Sequence, residues 1–113
     1  MENNYSNKKI TIKNIKGNGI TDPKTSSYLN INKNNANKLN EITGFTANVI
    51  ADDIDKFKNL DEIISYHSII PKHNSNEYLV TGNIKVKDII KVNSYEFVKN
   101  IKMSFKTLSH CKN

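Results

Sequence analysis

The chain has 113 residues, 36% of them hydrophobic and 25% charged, with a formal net charge of +6. That length excludes a multi-domain enzyme, a TIM barrel or a full dinucleotide-binding sheet, yet it exceeds the ~70–80 residues below which a core needs staples. All 17 basic residues are lysine, with no arginine, tryptophan or glutamine, and 19 asparagines and 16 isoleucines give the composition expected of an AT-rich genome.

Residues 1–9 are polar and asparagine-rich and read as a disordered arm, leaving 10–113 as one small domain. Ile10-Thr11-Ile12 alternates and predicts a first short strand running to Ile15, broken by Gly17-Asn18-Gly19. Asp22-Pro23 marks a turn. Six asparagines in residues 30–40, with Ile31 and Leu39 as apolar anchors, favour a long surface loop, because asparagine competes for helical hydrogen bonds. Ile42 to Val49 places Phe45, Ala47 and Val49 on one parity against Thr46 and Asn48, which predicts a half-buried strand. Asp52 or Asp53 is then placed to cap a short helix over 52–60, carrying Ile54, Phe57 and Leu60 at three-residue spacing.

Ile63 to Ile70 is β-branched and aromatic and reads as a strand stopped by Pro71, with a turn at His73–Asn76. From Tyr78 to Val92, Val80, Ile84, Val86, Ile90 and Val92 share one parity while Lys85, Lys87 and Lys91 take the other. Gly82 suits a bulge or a close backbone approach. Asp88 and Ile89 break the parity, which a bulge would repair. After Asn93-Ser94, Phe97, Ile101, Met103 and Phe105 line one face against Lys102, Ser104 and Lys106. The pattern predicts a long lysine-edged hairpin over about 78–107, whose lysines discourage edge-to-edge association.

The charge is uneven: residues 1–50 carry 7 lysines against 3 acids, 51–76 carry 3 against 5, and 77–113 carry 7 against 3. Lysine neutralises phosphate, but arginine, which makes bidentate guanine and phosphate contacts, is absent, and no basic run exceeds Lys8-Lys9. The lysines read first as the solvent face of a sheet, with a lysine-rich nucleic-acid binder as a third class of function behind the protein-binding readings. The lone Cys111 permits no internal disulfide and points to a reducing, cytoplasmic setting. The N-terminus carries no apolar secretory signal, and no run of 18 apolar residues predicts a membrane span.

Catalytic and metal patterns are missing. His67, His73 and His110 lack metal-ligand spacing, and adjacent His110-Cys111 cannot readily orient each other as base and nucleophile. Asp52, Asp53 and Asp55 begin like a calcium loop but lack its glycine and closing glutamate, and Gly17-x-Gly19 alone cradles no phosphate. No cofactor and no enzymatic activity are expected.

Two likenesses bear on function. Leu60-Asp61-Glu62-Ile63-Ile64-Ser65, the glycine strand Leu79–Val86, and Val98 through Met103-Ser104-Phe105 resemble, in order and spacing, the SPOCS domain of spore-coat assembly proteins over about residues 58–110. The chain departs from that family where Lys58-Asn59-Leu60 replaces its Lys-Pro-Asp turn and Ser104 replaces its proline. Separately, Gly44–Val49, Asp53–Lys58 and Ile63-Ile64 are similar to the strand-helix-strand of subtilisin-type propeptides and their free-standing inhibitors over 44–64. That resemblance implies a ferredoxin-like protease inhibitor, although a hairpin after Ile70 would depart from the family.

The sequence thus predicts an α+β, mainly β domain: an antiparallel sheet or small sandwich, one short helix and the C-terminal hairpin. The expected role is a non-catalytic protein-interaction or assembly module, its setting suggested by the spore-coat likeness. The alternative is a small inhibitor of a subtilisin-type protease or of a host defence nuclease. Binding would use strand edges and rim side chains, with Tyr95, Phe97, Lys85, Lys87 and Lys91 as the candidate contacts. The partner is another protein whose identity, like the oligomeric state, the sequence leaves open.

Overall fold

A computed structural model describes residues 12–14, 17 and 19–104. The arm at 1–9, Phe105, Lys106, His110 and Cys111 lie outside these residues. The domain is α+β and contains a four-stranded antiparallel sheet with short helices.

The first helix starts where the turn was expected. Asp22 caps it by accepting from the Thr25 amide at 3.0 Å, and Pro23 occupies its first turn, where a missing N–H costs nothing. Helix α1 spans Pro23–Ile31 and α2 spans Ala36–Leu39. The expected loop at 30–40 is therefore mostly helical. Its asparagines act at helix ends: Asn35 accepts from the Lys38 amide, while the Asn32 and Asn40 amides donate to the Tyr28 and Ala36 carbonyls. The expected strand at 10–15 is represented, within the described part, by one bridge between Ile12 and Tyr95.

Strand β1 (Ile42–Ile50) follows the expected alternation, with Phe45, Ala47 and Val49 buried. A 3-10 turn, Ala51–Asp53, leads into α3 (Ile54–Lys58), which buries Phe57 with its ring centroid 6.4 Å from that of Phe45. Asp53 stands at the cap position but makes no side-chain cap bond; its carboxylate lies 3.3 Å from Lys56 instead. Strand β2 (Ile64–Pro71) includes the proline as its last residue, and β3 (Glu77–Lys85) returns beside it.

The long hairpin does not form. After Lys85 the chain turns helical, through a 3-10 turn at Val86–Asp88 into α4 (Ile89–Asn93), and β4 (Val98–Met103) pairs with β1 rather than β3. The physical reason is the parity break at Asp88-Ile89. Val86, Ile89 and Val92 recur every three residues and are all buried, so a helical path satisfies them where a strand would expose Ile89.

The strand order is β2-β3-β1-β4. Each helical connection carries the chain past one strand, so β1 and β2 are parallel with β3 between them, and β3 and β4 are parallel with β1 between them. This is the split βαβ, or ferredoxin-like, connectivity. One sheet face joins Leu29, Phe57, Val86, Ile89 and Val92 in a single core. The opposite face carries half-buried Thr46, Asn48, Leu79, Thr81, Asn83 and Asn100. No helix among the described residues is long and apolar enough to cross a membrane.

Candidate functional site

The two outer strands of the sheet differ in composition and in what covers them. On β4, the outward amide of Met103 donates to Thr25 Oγ1 at 2.9 Å, and Lys13 Nζ donates to the Val98 carbonyl at 2.9 Å. The Lys13 amide bonds the Ser94 carbonyl, and Ile12 bridges Tyr95 beside it. Burial, and next to it the Lys99 charge, hold the Lys13 ammonium below the ordinary lysine pKa, while Glu96 opposes this. Both ends of that edge are thus occupied. It also carries Lys99 and Lys102.

Strand β2 has neither protection. Among the described residues it pairs only with β3, and Ile64–Pro71 contains no charged residue. Its composition is that of an interior strand such as β1, which is also uncharged but is flanked on both sides. Tyr66 is 40% exposed and Ile70 51% exposed. The Lys72 amide bonds the Glu77 carbonyl, so antiparallel alternation turns the Ile70 and Ser68 backbone toward β3 and that of Ile69 outward.

Two features limit this edge. The register shifts between Tyr66 and Ser68, leaving His67 as the extra residue of a bulge, and Pro71 has no N–H to offer. His67 Nε2 lies 3.1 Å from Asn83 Nδ2. The usable edge is centred on Ile69.

The sequence candidates fall in different places. Tyr95 and Phe97 are buried and stacked on each other, with centroids 5.5 Å apart at 24°, so they are core residues and not rim contacts. Lys85 and Lys87 are exposed and line one cleft of about 590 Å³ with Asp61, Glu62 and Asp88 over a floor that includes Ile63 and Ile84. Lys91 is exposed on α4 and does not join them. The cleft mixes three acids with two lysines, so it presents no uniform field to a polyanion. Among the described residues, no three His, Cys, Asp or Glu side chains group closely enough to share a metal ion.

The open sheet face forms a trough of about 670 Å³ bordered by Thr21–Pro23. Ser68 and Thr81 hydroxyls meet at 2.7 Å across it, and the Asn48 amide donates to Asn100 Oδ1 at 2.8 Å. A sheet that reads single-stranded RNA places aromatic rings on this face, whereas here β1 and β3 offer Thr46, Asn48, Leu79, Thr81 and Asn83.

The β2 edge itself escaped the sequence candidates. An uncharged run does not single it out, since the interior strand β1 lies in a longer one over residues 42–51. No protein-family model, curated protein or solved structure matches the chain.

Proposed function

We propose that this protein is a non-catalytic protein-interaction or assembly module that receives an extended partner segment at the β2 edge. The observation that carries this reading is the asymmetry of the sheet. β4 is covered and lysine-bearing, while β2 is uncovered among the described residues and uncharged. Uncovered edges are normally blunted with charge, proline or a bulge, because free N–H and C=O groups template another strand; β2 lacks the charge, and its bulge and Pro71 leave Ile69 free between them. Strand addition takes its affinity from those groups and its selectivity from the flanking side chains, here Ile70 on the open face and, past the bulge, Tyr66 on the core side. The spore-coat setting rests on the SPOCS likeness of the residues alone, and a reducing compartment on the lone Cys111.

A second reading, inhibition of a subtilisin-type protease, draws support from β1, α3 and β2, which follow one another as strand, helix and strand over the segment that resembles the propeptides.

Affinity capture from the source cell lysate, with full-length wild type beside Ile70→Lys and Tyr66→Ser, tests the first reading. A protein retained by wild type and lost by both variants is the expected result. An identical captured set for all three would overturn the β2 edge as the site. Titration against subtilisin separates the second reading: dose-dependent inhibition supports it, and unchanged proteolysis removes it.

A further inference from the structure

We infer that the strand received at β2 is β2 of a second copy, paired antiparallel about a two-fold axis so that two sheets become one of eight strands. This inference rests on the reading of β2 as a strand-accepting edge and adds the identity of the added strand. A two-fold contact is made by one surface against itself, so the surface must be compatible with its own reverse. β2 meets that condition in three ways.

Its eight residues carry no charge, so two chains of net charge +6 meet there without like charges facing each other. Its ends carry opposite charge: Asp61 and Glu62 precede the strand, and Lys72 follows it. Antiparallel pairing sets the basic exit of each copy on the side of the acidic entry of the other, whereas parallel pairing would align like with like. Lys72 pairs with Glu77 of its own chain at 3.3 Å, so the end charges act as a long-range preference for the antiparallel orientation and not as contacts between copies.

The backbone fixes the register. Ile69 carries its N–H and C=O outward, and Pro71 offers only its carbonyl, so the two copies of Ile69 exchange a reciprocal pair of hydrogen bonds at the axis. Ile70 of each copy then lies beside the second copy's Ser68 on the open face, and the two Ile70 side chains stand diagonal to each other. This covers an isoleucine that is otherwise half exposed.

Sedimentation velocity on the full chain tests the pairing, using wild type, Ile70→Lys, Ile70→Glu and an equimolar mixture of the two variants. Wild type is expected to pass from monomer to dimer between tens and hundreds of micromolar. Each variant alone is expected to dimerise about fivefold more weakly, since like charges then stand diagonal across the strands, and the mixture to recover dimer as the opposite charges pair. Thermal melting confirms that each variant is folded. A wild type that stays monomeric throughout, or an Ile70→Lys chain that dimerises like wild type, overturns the inference. A monomeric wild type whose captured partner is still lost on Ile70→Lys sinks self-pairing and keeps strand addition. A captured set unchanged by that substitution, together with a monomeric wild type, sinks both.

Discussion

A Cβ placed on Gly82 would lie 2.2 Å from the carbonyl oxygen of Ser65 and 2.6 Å from the Cα of Tyr66. Both are backbone atoms, so no side-chain rotation relieves the overlap. The glycine in β3 is thus what lets β2 approach closely where its bulge begins, and the register shift follows one residue later. Gly82→Ala is expected to cost about 1–3 kcal/mol in chemical denaturation, as overpacking does. Hydrogen exchange should show the loss concentrated in β2. Gly44→Ala is the control, because its nearest contact would be the Ser104 Cβ at 3.3 Å, which needs a shift of only a few tenths of an ångström. Equal losses at both glycines would contradict this account.

Thr25 joins the first helix to the last strand. It is fully buried, donates its hydroxyl to Asp22 Oδ2 at 2.7 Å and accepts from the Met103 amide at 2.9 Å. Thr25→Val keeps the shape and strands the Met103 N–H, an expected loss of about 1–3 kcal/mol. The same substitution bears on acid stability. The Thr25 hydroxyl, followed by its amide, holds the Asp22 carboxyl below the ordinary aspartate pKa. A depressed folded pKa contributes stability above the unfolded value of 3.8, and that contribution is lost as pH falls through the folded pKa. Denaturation midpoints measured from neutral pH down to the acid limit should therefore fall less steeply in Thr25→Val. An unchanged acid limb would remove Thr25 as the cause.

Phe97 and Lys87, proposed together from the sequence as partner contacts, should separate in experiment. Phe97→Ala opens the stacked, buried pair with Tyr95 and is expected to cost about 3–5 kcal/mol of folding stability. Lys85→Ala and Lys87→Ala sit on exposed positions and should change stability by no more than about 0.5 kcal/mol. Urea titrations of the three variants check this. A Phe97→Ala chain as stable as wild type would return that ring to the list of binding residues.

Nucleic acid offers a separate check. With no arginine in the chain and no Phe, Tyr or Trp ring from β1 or β3 on the open sheet face, RNA binding is expected to be counterion-driven only. Filter binding to homopolymer RNAs should show no base preference, and retention should vanish as salt rises. Selective binding that persists in high salt would contradict the assignment of the lysines to a solvated surface.

How far the fold was legible depended on whether each segment's pattern was local. β1 was clear because Phe45, Ala47 and Val49 alternate without interruption, and α3 because Ile54 and Phe57 sit one turn apart. The Val86–Asn93 helix was masked by β-branched residues that favour strands, although Val86, Ile89 and Val92 already showed a period of three. Helix α1 was hidden because Asp22-Pro23 serves equally as a turn or as a cap with a first-turn proline. Strand order was beyond local reading altogether. Nothing within Ile64–Pro71 says that it lies at an edge, or that the last strand passes over to β1, and the candidate site depends on both facts.

The placement of β4 beside β1 has a consequence for how the protein is made. β1 is finished at Ile50, yet the neighbour on one of its sides is not translated until Val98–Met103, roughly fifty residues later. Until then the emerging chain holds a second bare, uncharged strand, and contacts this distant in sequence form slowly. A ribosome paused or a chain broken before Val98 therefore releases a three-stranded intermediate open along both margins. Such a species would depend on chaperone shelter, and its sensitivity to aggregation should end once β4 has cleared the exit tunnel.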